Sequence, residues 1–189
     1  MKKKILLGIV TFATAVTLVA CGNNKEEQNT TEGEDMNHSE MNHSEMNHSS
    51  SGEIPAGLKE AENPTYPVDS KAILKTDHMN GMKDAEATIV GAYDTTAYVI
   101  SYTPTTGGEK VENHKWVIQE EIKNAGGKTL EPGTEVTIEA SHMEGMDGAT
   151  GTIESSEKTI VYMVDYTPTT GGEEVKNHKW VTESELASK

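Results

Sequence analysis

An internal repeat constrains the fold of this chain more than any other feature. The motif at His78–Met82 returns at His142–Met146, and the alignment between the two continues without a gap. Two further motifs recur in the same register: Tyr-Thr-Pro-Thr-Thr-Gly-Gly at 102–108 and 166–172, and Asn-His-Lys-Trp-Val at 113–117 and 177–181. A gapless tandem duplication predicts two copies of one small structural unit, which we place at residues 65–125 and 128–189.

Both copies are predicted to consist of short β-strands. Apolar and polar residues alternate, as at Val136 and Ile138, and turns rich in glycine and proline separate the segments. The predicted strands are Lys71–Thr76, Ala87–Ala92, Thr96–Tyr102 and His114–Val117 in the first copy, and Glu135–Ala140, Gly151–Ser155 and Thr159–Tyr166 in the second. An acidic turn of helix is predicted at Gln119–Ile122, after the last strand of the first copy.

The order of these strands and turns resembles that of small SH3-like barrels. A closed barrel has no exposed strand edge, which suits a unit with few large apolar side chains. We therefore predict an all-β fold, with two tandem small SH3-like β-barrel domains after a disordered tether. The alternative is an open antiparallel sheet of three or four strands, with the two copies packed face to face.

The N-terminus has the features of a lipoprotein signal peptide. Three lysines precede an apolar stretch from Ile5 to Ala20, which ends in Leu-Val-Ala before Cys21, the only cysteine. This pattern predicts a signal peptide at residues 1–20, cleavage before Cys21 and a lipid thioether on that residue. Two acyl chains give stable attachment, so we expect a lipid anchor on the extracellular face of the cell membrane. No thiol then remains for a disulfide, a zinc site or a cysteine nucleophile.

The mature chain is expected to be strongly acidic. Residues 1–20 hold three of the 16 lysines and none of the 31 acidic residues, so 13 positive charges remain against 31 negative ones, a net charge of −18. The chain contains no arginine, the residue that binds phosphate through two parallel hydrogen bonds. Nucleic-acid binding is therefore excluded, whereas metal cations would be concentrated near the surface.

Residues 21–64 are predicted to form the disordered tether, because they offer too little apolar surface to offset the entropy of ordering. Within them the unit Met-Asn-His-Ser occurs three times between Met36 and Ser49. Thioether sulfur selects Cu(I), and imidazole suits copper, zinc and nickel. The tract therefore predicts copper capture, with a polar low-complexity spacer as the alternative. The predicted tether ligands are Met36, His38, Met41, His43, Met46 and His48.

A further metal site is predicted in each folded copy. The first and last strands of an SH3-like barrel pair with each other, which would bring His78 beside His114, and likewise His142 beside His178. Imidazoles combined with thioethers suit copper. The predicted ligands are His78, Met79, Met82, His114, His142, Met143, Met146 and His178, shielded by Trp116 and Trp180. In the alternative, the histidines bind loop carbonyls while the methionines and tryptophans fill the core.

The repeated motifs resemble those of the YdhK family of Gram-positive lipoproteins, whose duplicated domain is of unknown function. The resemblance extends over roughly residues 66–189. It implies surface localisation and a two-copy architecture, and such proteins are often found in copper- or metal-resistance settings, without a defined activity. The copies differ where Asp84 in the first corresponds to Gly148 in the second, which leaves open whether their turns, and their metal affinities, are equal.

Catalysis finds no support in the sequence. The chain lacks a Gly-x-Ser-x-Gly elbow, a His-Glu-x-x-His motif and a phosphate-binding Gly-Lys-Ser/Thr loop, so we predict that it is not an enzyme. Two functions fit: copper binding outside the cell, for sequestration or transfer, and interaction with the cell wall or a surface protein through an aromatic groove at Tyr102, Trp116 and their copies. Buried aromatic side chains would favour the first, and an exposed aromatic strip the second.

Overall fold

The computed structural model describes residues 49–189, which form an all-β fold, as predicted. Cys21 and the six predicted tether ligands lie outside the described residues. The strands of the described part are β1 (Lys59–Glu60), β2 (Lys71–Leu74), β3 (Glu86–Tyr102), β4 (Val111–Ile118), β5 (Glu135–Thr137), β6 (Thr150–Tyr166), β7 (Val175–Thr182) and β8 (Leu186–Ser188). Short 3-10 turns follow β4 at Gln119–Glu121, confirming the predicted acidic turn, and β7 at Glu183–Glu185.

Two long strands dominate the sheet. β3 and β6 have 17 residues each and pair antiparallel from end to end, with Ala87 opposite Tyr166 and Tyr102 opposite Gly151. The prediction of two separate strands within each of these regions was wrong. The segment around Thr95 contains no glycine, proline or asparagine to form a hairpin turn, and threonine favours extended backbone. Each long strand therefore continues past the position at which a small barrel would reverse direction.

The long strands cause the two copies to exchange halves. β2 of the first copy pairs with β8 of the second, and a bridge between Ile122 and Ile138 makes the equivalent connection from the first copy to the second. We call lobe A the unit built from β2, the first half of β3, the second half of β6, β7 and β8. Lobe B consists of the second half of β3, β4, β5 and the first half of β6. The first strand thus pairs with the last, as in SH3-like barrels, but the two strands belong to different copies.

The core of each lobe shows the same exchange. Each core combines residues from the first half of one copy with residues from the second half of the other. The core of lobe A contains Ala72, Leu74, Met82, Ala85, Ala87, Ile89, Ala92, Tyr162, Val164, Tyr166, Val175, Val181 and Leu186. The core of lobe B contains Tyr98, Ile100, Tyr102, Val117, Ile122, Ile138, Ala140, Met146, Ala149 and Ile153. The sequence copies at 65–125 and 128–189 are therefore not the units that pack.

The sheet does not close on itself. In lobe A the 3-10 turn at Glu183–Glu185 connects β7 to β8, and in lobe B the turn at Gln119–Glu121 connects β4 to the bridge at Ile122. A third cluster of buried side chains lies between the lobes and includes one tryptophan from each copy. This central cluster consists of Tyr93, Ala97, Val99, Trp116, Ile118, Val161, Met163 and Trp180.

The N-terminal boundary of the folded part lies earlier than predicted. The tether was expected to extend to residue 64, but Lys59 of β1 pairs with Asp94 of β3, and the amide of Ser50 donates to the carbonyl of Lys176 at 2.9 Å. Leu58 packs against the central cluster and Ala61 against the core of lobe A. These two apolar contacts account for the order of a segment whose overall composition is polar. No helix among residues 49–189 is long and apolar enough to cross a membrane.

Candidate metal-binding sites

Loops from opposite copies hold the repeated histidines in place. The amide of Thr105 donates to the carbonyl of Gly145 at 2.8 Å, so the Pro-Thr-Thr-Gly-Gly loop of the first copy clamps the His-Met-Glu-Gly-Met loop of the second. Gly145 has a φ of 73°, and a Cβ at this position would lie 2.6 Å from Oγ1 of Thr106. Glycine is therefore required here, both for its backbone conformation and for the close approach of the two loops. Thr169 and Gly81 make the equivalent contact, also at 2.8 Å.

The turn after each histidine motif has the same backbone in both copies. Asp84 has a φ of 61° and Gly148 a φ of 76°, both in the left-handed region. The amide of Asp84 donates to Leu74 at 2.8 Å, and that of Gly148 donates to Ile138 at 2.9 Å. Aspartate tolerates this conformation better than most residues, so the replacement of glycine does not alter the turn.

The exchange of halves changes which histidines meet. The ring of His142 lies 6.2 Å from that of His114, between centroids. The prediction that His142 lies beside His178 within its own copy was wrong, because the strand that carries His178 belongs to lobe A. His142 instead meets His114 of the other copy.

The histidine pair of lobe B lies beside a thioether and a phenol. Tyr102 contacts His114 edge to face, with ring centroids 6.0 Å apart, and its hydroxyl donates to Sδ of Met143 at 3.8 Å. We call His114, His142 and Met143 the lobe B site. This site brings two imidazoles and one thioether to the same end of the lobe.

We give the name lobe A site to the residues that correspond to these under the repeat, His78, His178 and Met79. His178 is buried against Tyr166, with ring centroids 5.8 Å apart, and Met79 packs against the core of lobe A. The other two methionines predicted as ligands, Met82 and Met146, are completely buried within the two cores. They fill space in those cores, as the alternative interpretation had it.

A buried glutamate holds one histidine of each site. In lobe B, Oε1 of Glu121 lies 2.8 Å from Nε2 of His142, and Oε2 accepts hydrogen bonds from the indole of Trp180 at 3.0 Å and the amide of Ile118 at 3.1 Å. Glu121 is only 3% exposed, so these contacts replace its hydration.

Glu185 makes the same set of contacts in lobe A. Its Oε1 lies 2.7 Å from Nε2 of His78, and its Oε2 accepts from the indole of Trp116 at 2.8 Å and the amide of Thr182 at 3.1 Å. Burial raises the pKa of Glu185, but the hydrogen bond and charge of His78, together with the two N–H donors, outweigh burial and bring the pKa to about 2. Glu185 is therefore ionised at neutral pH.

Sequence analysis missed both glutamates as site residues. Glu121 lies within the predicted acidic turn, and Glu185 occupies the equivalent position in the second copy. The repeated position was visible, but the burial of one carboxylate among several exposed neighbours depends on the exchange between copies.

The second ring nitrogens of the two glutamate-bound histidines, His78 and His142, have no hydrogen-bond partner among residues 49–189. These atoms, Nδ1 of each ring, are buried. A histidine whose one nitrogen is held by a carboxylate while the other faces a site is the usual arrangement of a metal ligand. No group of three His, Cys, Asp or Glu side chains suited to a metal occurs within residues 49–189, so a metal at either site would need methionine sulfur or fewer ligands.

Comparison with known protein families shows to which family the chain is related. The family described as "Protein of unknown function (DUF1541)" matches the chain twice, at residues 68–119 and 132–183. The chain belongs to the DUF1541 family. The DUF1541 matches fall on the two sequence copies, and the resemblance to YdhK is confirmed at the level of the family.

Relatives of known sequence or structure come from Bacillus subtilis. The uncharacterized protein YdhK of strain 168 is 60% identical over 187 residues, which covers 98% of this chain and 90% of YdhK. A crystal structure of this DUF1541 protein at 2.00 Å is 67% identical, covers 78% of this chain and 100% of that chain, and has a TM-score of 0.75. A solution NMR structure of the YdhK C-terminal domain is 70% identical, covers 65% and 93% of the two chains, and has a TM-score of 0.62.

Proposed function

We propose that this chain is a lipid-anchored protein that binds copper as Cu(I) outside the cell, for sequestration or transfer, with one ion in each lobe. The observation that carries the proposal is the buried, unpartnered Nδ1 of His142, in a ring whose Nε2 is fixed by Glu121. A buried polar atom without a partner costs free energy, which a bound metal ion would recover.

The chemistry of the surrounding groups favours copper. The lobe B site offers the rings of His114 and His142 and the sulfur of Met143. Metal–nitrogen bonds are about 2 Å long, so a centroid separation of 6.2 Å leaves room for one ion between two imidazoles. Thioether sulfur selects Cu(I), whereas zinc gains little from it.

Burial of the aromatic side chains weighs against the alternative, an interaction module for the cell wall or a surface protein. Tyr102 and Trp116 are 1% and 7% exposed, and their copies Tyr166 and Trp180 are 2% and 0% exposed. The large apolar side chains exposed within residues 49–189 are Ile54 and Val68, neither of them aromatic. These four side chains therefore form no exposed aromatic strip to which a peptide or a glycan could bind.

Cu(I) titration of the soluble protein from Gly22 tests the proposal, with deletion of residues 36–48 separating the tether from the lobes. We expect the deletion to remove most of the bound copper and to leave about one equivalent per lobe. Replacement Met143→Leu should then lower the affinity of one remaining site by about 10- to 100-fold, a loss expected when a ligand or its support is removed. Competition with a chromophoric Cu(I) chelator measures both the number of bound Cu(I) ions and their affinity.

Met146→Leu is the matched control, because it makes the same chemical change three positions further along the chain, within the core. The Met146→Leu variant should bind Cu(I) with the same affinity as the parent protein. Zinc should bind weakly to all variants. If the full protein binds Cu(I) no more tightly than an acidic polymer of similar charge, the copper function is wrong and the interaction module becomes the better hypothesis.

We also propose lipid attachment at Cys21, on the basis of the preceding Leu-Val-Ala sequence. Cells grown with a clickable fatty acid should yield labelled protein in the membrane fraction. The Cys21→Ala variant should carry no label and should leave the membrane, since lipid would be its means of attachment. Label retained on that variant would contradict the proposal.

A further inference from the structure

Each buried glutamate contacts both lobes at once. Glu185 and His78 belong to lobe A, but the indole bound to the same carboxylate is that of Trp116, which lies on β4 of lobe B. In the same way, Glu121 and His142 of lobe B are connected to Trp180 on β7 of lobe A. Two hydrogen-bonded connections therefore cross the boundary between the lobes, in opposite directions.

The tryptophan at the end of each connection lies close in sequence to a ligand of the other site. Trp116 comes two positions after His114 of the lobe B site on β4, and Trp180 comes two positions after His178 of the lobe A site on β7. Both indoles belong to the tightly packed central cluster, where Trp180 also contacts Tyr93 edge to face at 5.7 Å. Trp116 is 7% exposed and Trp180 0% exposed, and side chains in close-packed interiors transmit small displacements to their neighbours.

Metal binding would act on these connections through the histidines. A metal at Nδ1 draws electron density from the ring, which strengthens donation from Nε2 to the carboxylate. The carboxylate shares its negative charge among His78, Trp116 and the amide of Thr182. A stronger bond on one oxygen therefore alters the bond on the other.

From this geometry we propose that Glu121 and Glu185 are positioning residues that couple the two metal sites, so that an ion bound in one lobe changes the affinity of the other. This inference rests on the proposed copper function. The coupling is reciprocal, as linkage requires, and its path in each direction is histidine, glutamate and then the tryptophan of the opposite lobe.

The test uses two proteins that each retain one site and leave both His–Glu–Trp connections intact. Both carry the deletion of residues 36–48. Replacement of His114 and Met143 by leucine leaves the lobe A site, and replacement of His178 and Met79 by leucine leaves the lobe B site. The two indole N–H signals in an ¹⁵N correlation spectrum report on Trp116 and Trp180 separately, and Cu(I) is diamagnetic.

With the lobe A site alone, one equivalent of Cu(I) should shift the indole signal of Trp116 and leave that of Trp180 in place. With the lobe B site alone, the pattern should reverse. In the parent protein carrying both sites, the affinity for the second ion should differ by at least about five-fold from the affinity of the same site in its single-site protein. Trp116→Phe in the parent protein should bring the two affinities closer together.

The possible outcomes separate the two proposals. If no Cu(I) binds, the copper function itself is wrong. If one equivalent binds to each single-site protein but neither indole shifts, or the indole of the occupied lobe's own strand shifts instead, copper binding stands and the coupling is refuted. If the leucine variants do not fold, the Trp116→Phe titration decides, and unchanged affinities in that variant refute the coupling.

Discussion

A chain cleaved between its two sequence copies should remain one folded particle. If a protease site is inserted between Gly126 and Gly127, which lie in an exposed link, cleavage should leave both fragments together on size-exclusion chromatography, with a cooperative unfolding transition. The reason is that β2 and β3 lie on the first fragment, whereas β6 and β8 lie on the second. The backbone hydrogen bonds between β3 and β6 and between β2 and β8 therefore hold the two fragments together. Separation in denaturant should abolish that transition in each monomeric fragment, because each then lacks half of both cores.

Remixing the separated fragments should restore the transition and the original elution volume, and the uncleaved insertion protein serves as the control. The opposite result is equally clear. Two fragments that separate after cleavage and unfold cooperatively as monomers would mean that the copies at 65–125 and 128–189 are independent domains and that the exchange described above is wrong.

Replacement of Glu185 by alanine should lower the free energy of unfolding of the metal-free protein by about 3–5 kcal/mol at pH 7. The substitution removes one partner of a buried pair and leaves His78 and the indole of Trp116 without their acceptor. Urea denaturation measures the change. Glu109→Ala removes the same charge from an exposed loop position and should change stability by less than about 0.5 kcal/mol.

The same residue should dominate the loss of stability in acid. The pKa of Glu185 is about 2 in the folded protein against a usual value of 4.5, so its contribution is complete above pH 4.5 and is lost as the pH falls towards 2. The difference between these pKa values corresponds to about 3 kcal/mol. Stability curves of the parent and of Glu185→Ala should converge over this range, and parallel curves would contradict the assignment.

The all-β class and the repeat could be predicted because both depend on local information. The alternation around Val136, the turn residues of Pro-Thr-Thr-Gly-Gly and the gapless match between the two copies are all visible in the sequence. The acidic turn at Gln119–Ile122 was located for the same reason. These features require no knowledge of which strands pair.

The exchange of halves between the copies could not be predicted. The same alternation of side chains allows each copy to pair its strands within itself or with the strands of the other copy. The alternation that marks β3 as a strand would be the same whether the chain turned back on itself near Thr95 or continued to pair with β6. The absence of glycine, proline and asparagine near Thr95 was the available signal, and the predicted strands ended on either side of this position. The pairing of His142 with His114, and the burial of Glu121, follow from that one choice.

The continuity of lobe B has a consequence for the topology of the whole chain. All residues of its core lie between Tyr98 and Ile153, whereas the core of lobe A combines residues 72–92 with residues 162–186. In the chain, lobe B is thus inserted between the two parts of lobe A. Relative to a sequence copy, lobe B is circularly permuted, because it contains the second half of one copy followed by the first half of the next. Lobe A is completed only when β2 pairs with β8, the last strand of the chain. The duplication and the packing are out of phase by half a repeat, so neither sequence copy can be removed without opening both lobes.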